Sequence, residues 1–119
     1  MNHARLLLLS GLSLLLTGCG YTVESARETG AQKTCDYFVR CNQVGSGKAY
    51  ATVQECLTSQ RANFQTLWPS ASCPSINAAN LDVCLKGIDA SACGSVLDII
   101  STLTKCQAAL VCQAPGDGG

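Results

Sequence analysis

Histidine occurs once in the 119 residues, as His3, and charged side chains make up only 13% of the chain. Aromatic residues are scarcer still at 5%, and lysine and arginine nowhere form a cluster. Each shortage removes a class of chemistry. Without a basic patch the chain lacks the counterion-releasing surface that nucleic-acid affinity requires, so no nucleic-acid partner is expected. Apart from His3 there is no imidazole for a Ser-His-Asp or Cys-His nucleophile pair, or for a metal site. No Cys-x-x-Cys occurs either, and the closest cysteines, Cys35 with Cys41 and Cys106 with Cys112, have five residues between them. That spacing suits neither the activated thiol of a redox enzyme nor the paired thiolates of a structural zinc site. No catalytic residue, metal ligand or cofactor is therefore assigned, and the chain is not expected to be an enzyme.

A long apolar run exists only at the start. Met1 to Arg5 is a short positive segment, and Leu6 to Leu16 is an eleven-residue run interrupted only by Ser10, Gly11 and Ser13. Eleven residues are too few to span a bilayer, so the segment reads as an export signal. Its end, Leu16-Thr17-Gly18-Cys19, resembles the lipobox of bacterial lipoprotein precursors, where small residues precede a cysteine that receives diacylglycerol before cleavage. The resemblance implies that residues 1–18 are a signal peptide and that Cys19 is the lipidated, palmitate-bearing first residue. Gly20, where lipoproteins kept at the inner membrane often have Asp, points to the outer membrane. Several acyl chains anchor a domain where one would bind only marginally, so the membrane is the first expected partner. The alternative is an ordinary secretory signal with Cys19 as one more disulfide cysteine.

Removing residues 1–18 leaves 101 residues with seven basic and eight acidic side chains, a formal charge of −1. Nine cysteines are an awkward number for an exported chain. With Cys19 assigned to lipid, eight remain: Cys35, Cys41, Cys56, Cys73, Cys84, Cys93, Cys106 and Cys112. An oxidising periplasm or cell surface closes these as four disulfides. At roughly 2 to 4 kcal/mol each, they rival the whole stability of a small domain.

The polar segment 19–25 is expected to be a lipidated tether, 26–113 a disulfide-rich helical domain and 114–119 a disordered tail. Ser25-Ala26-Arg27-Glu28 has the form of a capping box and predicts a helix from Ala26 to Gln43, with Gly30 as its weak point and Gly45-Ser46-Gly47 as its stop. Thr52-Val53-Gln54-Glu55 repeats the box. After it, Val53, Cys56, Leu57, Gln60, Phe64, Leu67 and Trp68 fall within about 120° of a helical wheel until Pro69 ends the pattern. Leu81, Cys84, Leu85 and Ile88 form the buried face of a third helix, capped by Asn77 and ended near Gly87. Cys93, Val96, Leu97, Ile100 and Leu103 make a similar stripe on a fourth, although the β-branched run from Ile99 to Thr104 also suits a short strand. Thr104-Lys105-Cys106-Gln107 starts a short fifth helix. The fold class is thus all-α, a small disulfide-stapled bundle of four to five short helices.

On one helix Cys35 and Cys41 point about 120° apart and need different partners. An antiparallel hairpin turning at residues 48 and 49 would set Cys41 against Cys56, the one pairing predicted. Phe38, Phe64 and Trp68 are expected in the core, Tyr50 as a staple at a helix start and Tyr21 at the headgroup level. Asp82 and Asp89, or Glu24 and Glu28, read as solvated carboxylates rather than an acid–base pair.

Tyr50-Ala51-Thr52-Val53-Gln54-Glu55-Cys56, Val83-Cys84-Leu85 and Ser91-Ala92-Cys93 resemble the small cysteine-rich lipoproteins of social and predatory Gram-negative soil bacteria, a family that implies no activity. Eight cysteines on helices are also similar in architecture to plant lipid-transfer proteins, but the Cys-Cys and Cys-x-Cys motifs of those proteins are missing. The expectation is an outer-membrane lipoprotein whose rigid domain binds an envelope or extracellular protein. The alternative is a carrier that holds a small apolar ligand between its helices.

Overall fold

The computed structural model describes residues 20–113. The expected signal peptide, the expected lipidation site Cys19 and the expected tail 114–119 lie outside the described residues. Those described form α1 (Val23–Arg40), α2 (Val53–Leu67), β1 (Ser75–Ile76), α3 (Ala78–Ala90), α4 (Val96–Lys105), α5 (Ala108–Val111) and β2 (Cys112–Gln113). The architecture is all-α and stapled by disulfides. The two short strands pair antiparallel, Ser75 with Gln113 and Ile76 with Cys112, which ties the chain's end to the start of α3.

Two of the expected caps form. Thr52 Oγ1 accepts from the Glu55 amide at 3.1 Å, and the Glu55 carboxylate accepts in return from the Ala51 amide at 3.1 Å. Asn77 caps α3 with its side chain, and Ser95, which the sequence did not single out, caps α4. Three boundaries differ from expectation, the first being that α1 ends at Arg40 and not at Gln43. α1 starts one turn before Ser25, because Thr22 Oγ1 accepts from the Ser25 amide at 3.0 Å and the Glu28 carboxylate is engaged elsewhere. α3 continues through Gly87 to Ala90. The capping box proposed at Thr104 does not form either: its hydroxyl donates back to Ile100 within α4, and α5 begins after Gln107 without a side-chain cap.

α1 packs against α3 and forms an antiparallel pair with α2. Gly30 is what lets them close: a Cβ there would lie 2.9 Å from the Phe64 ring, a distance real Cβ atoms do not adopt. The core gathers Ala26, Ala31, Phe64, Trp68, Leu81, Leu85, Ile88 and Val111 with the sulfurs of Cys73, Cys84 and Cys106. Trp68 is fully buried, and its indole N–H donates to the Cys106 carbonyl at 2.8 Å, which meets the requirement that a buried donor be paired. The Arg27 guanidinium caps the exit of α2 by donating to the Trp68 carbonyl.

All eight cysteines of the domain are paired: Cys35–Cys56, Cys41–Cys93, Cys73–Cys112 and Cys84–Cys106. The predicted Cys41–Cys56 bond is therefore corrected. The hairpin of α1 and α2 is present, but its turn is not a tight reversal at residues 48 and 49. The chain leaves α1 through Asn42 at φ 57° and folds residues 43–50 back on themselves, with Gly45 N–H donating to Tyr50 O and Tyr50 N–H to Gln43 O. That detour moves the first turn of α2 beside Cys35, while Cys41, on a different side of α1, reaches the loop between α3 and α4.

Candidate functional site

A groove of about 680 Å³ lies between the α1–α2 pair and α4. Tyr37 and Phe38 of α1 form one wall and Val96, Ile99 and Leu103 of α4 the other. Phe64 and Leu67 of α2, Ile88 of α3 and Cys106 make the floor. The Cys41–Cys93 bridge closes one end, holding the loop before α4 to the last turn of α1. Arg40 backs it, donating to the Ser91 carbonyl at 3.1 Å while its guanidinium carbon stands 5.4 Å from the centre of the Tyr37 ring.

Among the described residues no charged side chain lines this groove. The polar groups that do are largely occupied by one another. Gln60, buried, donates to the Tyr50 hydroxyl at 2.9 Å and accepts from Asn63 at 3.3 Å. Ser91 and Thr102 both donate to the Gly87 carbonyl, at 2.8 and 3.1 Å. Among the described residues no buried side-chain nitrogen or oxygen is left without a partner. Chemically, the groove offers dispersion contacts and exclusion of water, with no free charge to orient a reacting group.

One wall of the groove was misjudged from the sequence. The stripe of α4 was expected to be core, yet no residue of this helix is buried: Val96 is 66% exposed, Leu97 80%, Ile100 55% and Leu103 60%. The helix meets α3 through its polar side instead. Thr102 sits over Gly87, where a Cβ would come within 3.3 Å of its hydroxyl, and the Asp98 carboxylate accepts from the Ala92 amide at 3.0 Å. The apolar side is left turned towards the groove and the solvent. Cys93 lies before this helix rather than on it, in the loop and exposed. The run from Ile99 to Thr104 is helix, not strand.

The other candidates fall into structural roles. Phe38 packs edge-on against Tyr50, with ring centres 5.2 Å apart, and Phe64 lies 4.9 Å from Trp68. The Tyr50 hydroxyl reaches the middle of α2, where it accepts from Gln60 at 2.9 Å. Three of the carboxylates form ion pairs between or along helices. Glu28 binds Arg61 of α2 through both oxygens at 2.7 and 2.8 Å, Asp89 binds Lys33 at 2.7 Å, and Asp82 binds Lys86 at 2.8 Å. The hydrogen bonds from Arg61 hold the Glu28 carboxyl below its ordinary range, and the bond to Asp89 raises Lys33. Both shifts follow from pairing at the surface, where such pairs contribute little.

The sequence profile of a family of unknown function, DUF6184, matches residues 35–114, and the chain belongs to that family. The matched stretch begins at Cys35 and contains all eight paired cysteines. No curated protein matches the chain. No solved structure matches it either.

Proposed function

We propose that this member of DUF6184 is a lipoprotein of the outer membrane, anchored through an acylated Cys19, whose four-disulfide domain is a binding module that holds an uncharged apolar group such as an acyl chain. The observation that carries the reading is the groove itself: about 680 Å³, within the range of small-molecule sites, walled by apolar side chains and free of charge among the described residues. A charged guest would lose its hydration there without gaining a partner. An apolar guest would cover Val96, Ile99 and Leu103, which otherwise face water.

The anchor reading is supported by the lipobox-like Leu16-Thr17-Gly18-Cys19 and by sulfur arithmetic. Eight of the nine cysteines bond to one another, so Cys19 has no cysteine of its own chain to pair with. The assignment involves binding and no catalysis, since no charged side chain lines the groove among the described residues. An envelope protein as partner is a second reading, favoured by the exposed apolar side of α4.

Titration of the purified protein with an uncharged, polarity-sensitive dye, followed by displacement with a long-chain alcohol, tests the groove. Ile99→Glu places a carboxylate on its wall at a position 41% exposed, so the fold tolerates the change. We expect dye enhancement and displacement with the natural chain and at least tenfold weaker binding with the variant. Absence of saturable binding, or a variant that binds equally well, would reject the groove as the site. Mass spectrometry of the protein extracted from membranes tests acylation of Cys19 separately.

A further inference from the structure

The groove is apolar along most of its length, but one buried side chain in its lining is polar and only half engaged. Gln60 is 7% exposed and lines the groove one helical turn before Phe64. A primary amide carries two N–H donors and two carbonyl lone pairs. One donor goes to the Tyr50 hydroxyl at 2.9 Å, and one lone pair accepts from the Asn63 amide at 3.3 Å. Among the described residues one N–H and one lone pair of Gln60 therefore remain uncommitted. The hydroxyls along the groove do not offer such a pair. Thr34 donates to the Gly30 carbonyl, and Ser91 and Thr102 donate to that of Gly87.

The Gln60 amide is also held in place. Tyr50, which accepts from it, packs edge-on against Phe38 and has Ser59 Oγ 3.4 Å from its hydroxyl. Asn63, one turn along the same helix, fixes the carbonyl side. A guest that meets Gln60 finds the amide already oriented, so little side-chain freedom is lost on binding.

We propose that Gln60 selects the head of the groove's guest: an amphiphile with an alkyl chain and one small uncharged group that both donates and accepts, a hydroxyl or a primary amide. The head lies on Gln60 and the chain runs over Phe64 between Leu67 and Leu103. This inference rests on the groove being a binding site and names the chemistry of what it takes. A plain hydrocarbon would strip water from the remaining donor and acceptor of Gln60 and return nothing. A carboxylate meets no cation, since among the described residues none lines the groove, and its oxygens only accept, which leaves the Gln60 lone pair unmet. A hydroxyl or a primary amide returns both bonds.

Displacement of the uncharged dye by decan-1-ol, decanamide, decyl methyl ether and decanoate, which share an alkyl chain and differ at the head, tests the proposal. We expect the alcohol and the amide to displace dye at concentrations about tenfold or more below those of the ether and the carboxylate, the size of effect that paired neutral hydrogen bonds give. In Gln60→Met the alcohol and the ether should displace alike. A general loosening of the domain would weaken both and leave their ratio standing. A second measurement needs no variant: in nitrogen-15 spectra of the natural protein, the side-chain amide resonances of Gln60 should shift with the alcohol and not with the ether. Equal displacement by alcohol and ether, a preference for decanoate, Gln60 resonances that ignore the alcohol, or a Gln60→Met variant that keeps the preference would each overturn the inference while dye binding in the groove still stands. Absence of saturable dye binding would remove the groove and the inference together.

Discussion

Replacing Cys41 and Cys93 together by serine removes the strap across the end of the groove, and its cost can be worked from the structure. The bridge spans a sequence separation of 52, the longest of the four. In the chain-entropy account a loop of that size destabilises the unfolded state by about 4 kcal/mol. The other three bridges offer a shorter covalent route between the two positions, but the dependence on loop length is logarithmic and the figure hardly changes. Native-state losses add little, since Cys93 is exposed and Cys41 only half-buried. The double variant avoids the stray thiol that a single substitution would leave. What it removes besides entropy is position: without the bridge, the loop before α4 is held to α1 mainly by the Arg40 bond to the Ser91 carbonyl. Urea unfolding should show a loss of about 4 kcal/mol at unchanged native helicity. Dye titration should show weaker binding in the groove from a wall that no longer holds its place. A variant within about 1 kcal/mol of the natural protein, binding dye with unchanged affinity, would refute both the entropic estimate and the role of the bridge as a strap.

Two further outcomes are expected. Gly30→Ala gains helix propensity of about 1 kcal/mol but drives a methyl group to 2.9 Å from the buried Phe64 ring, an overpacking cost of roughly 1 to 3 kcal/mol, so the net effect in urea unfolding should be destabilising. Phe64→Leu in the same chain should restore tolerance of the alanine. Glu28→Gln should lower Tm slightly above the ordinary carboxyl pKa of 4.5 and have no effect in strong acid. The native Glu28 carboxyl titrates lower than the unfolded one, so the pair's contribution is complete above that ordinary value and is lost as the pH falls through the depressed native one. A difference between the two proteins that persisted in strong acid would show that the substitution acts through packing instead.

The parts of the fold legible in the sequence are those whose cause is local. α2 is announced by Thr52 and Glu55 at one end and Pro69 at the other, and every group needed to start and stop it lies within a few residues. α1 shows the limit of that logic. Ser25 and Glu28 have the right types and spacing for a cap, but Glu28 is held by Arg61, 33 residues away, and the start falls to Thr22. Gly30 follows the same pattern: within its own helix it is only a weak residue, and its use appears once Phe64 arrives from α2. The cysteines combine both cases. That eight of them close as four bridges was expected from their number and from reading residues 1–18 as an export signal, whereas their pairing depends on how far residues 43–50 fold back, which no local residue dictates.

The groove was hidden because an amphipathic pattern says that a stripe exists, not which way it faces. Val96, Ile99, Ile100 and Leu103 are spaced as core residues are, and in a bundle held by hydrophobic burial alone they would turn inwards. Here α4 is flanked by covalent ties, Cys93 to Cys41 ahead of it and Cys106 to Cys84 behind. Between them Gly87 admits Thr102 against α3, and Ser91 and Asp98 satisfy the polar groups of that seam. The orientation is thus fixed by sulfur and hydrogen bonds, and the apolar side is left outside at a cost that four disulfides can bear. In a domain this small, surface withheld from the core is stability forgone, and along Val96, Ile99 and Leu103 its persistence is explained most economically by a guest that covers it in the groove.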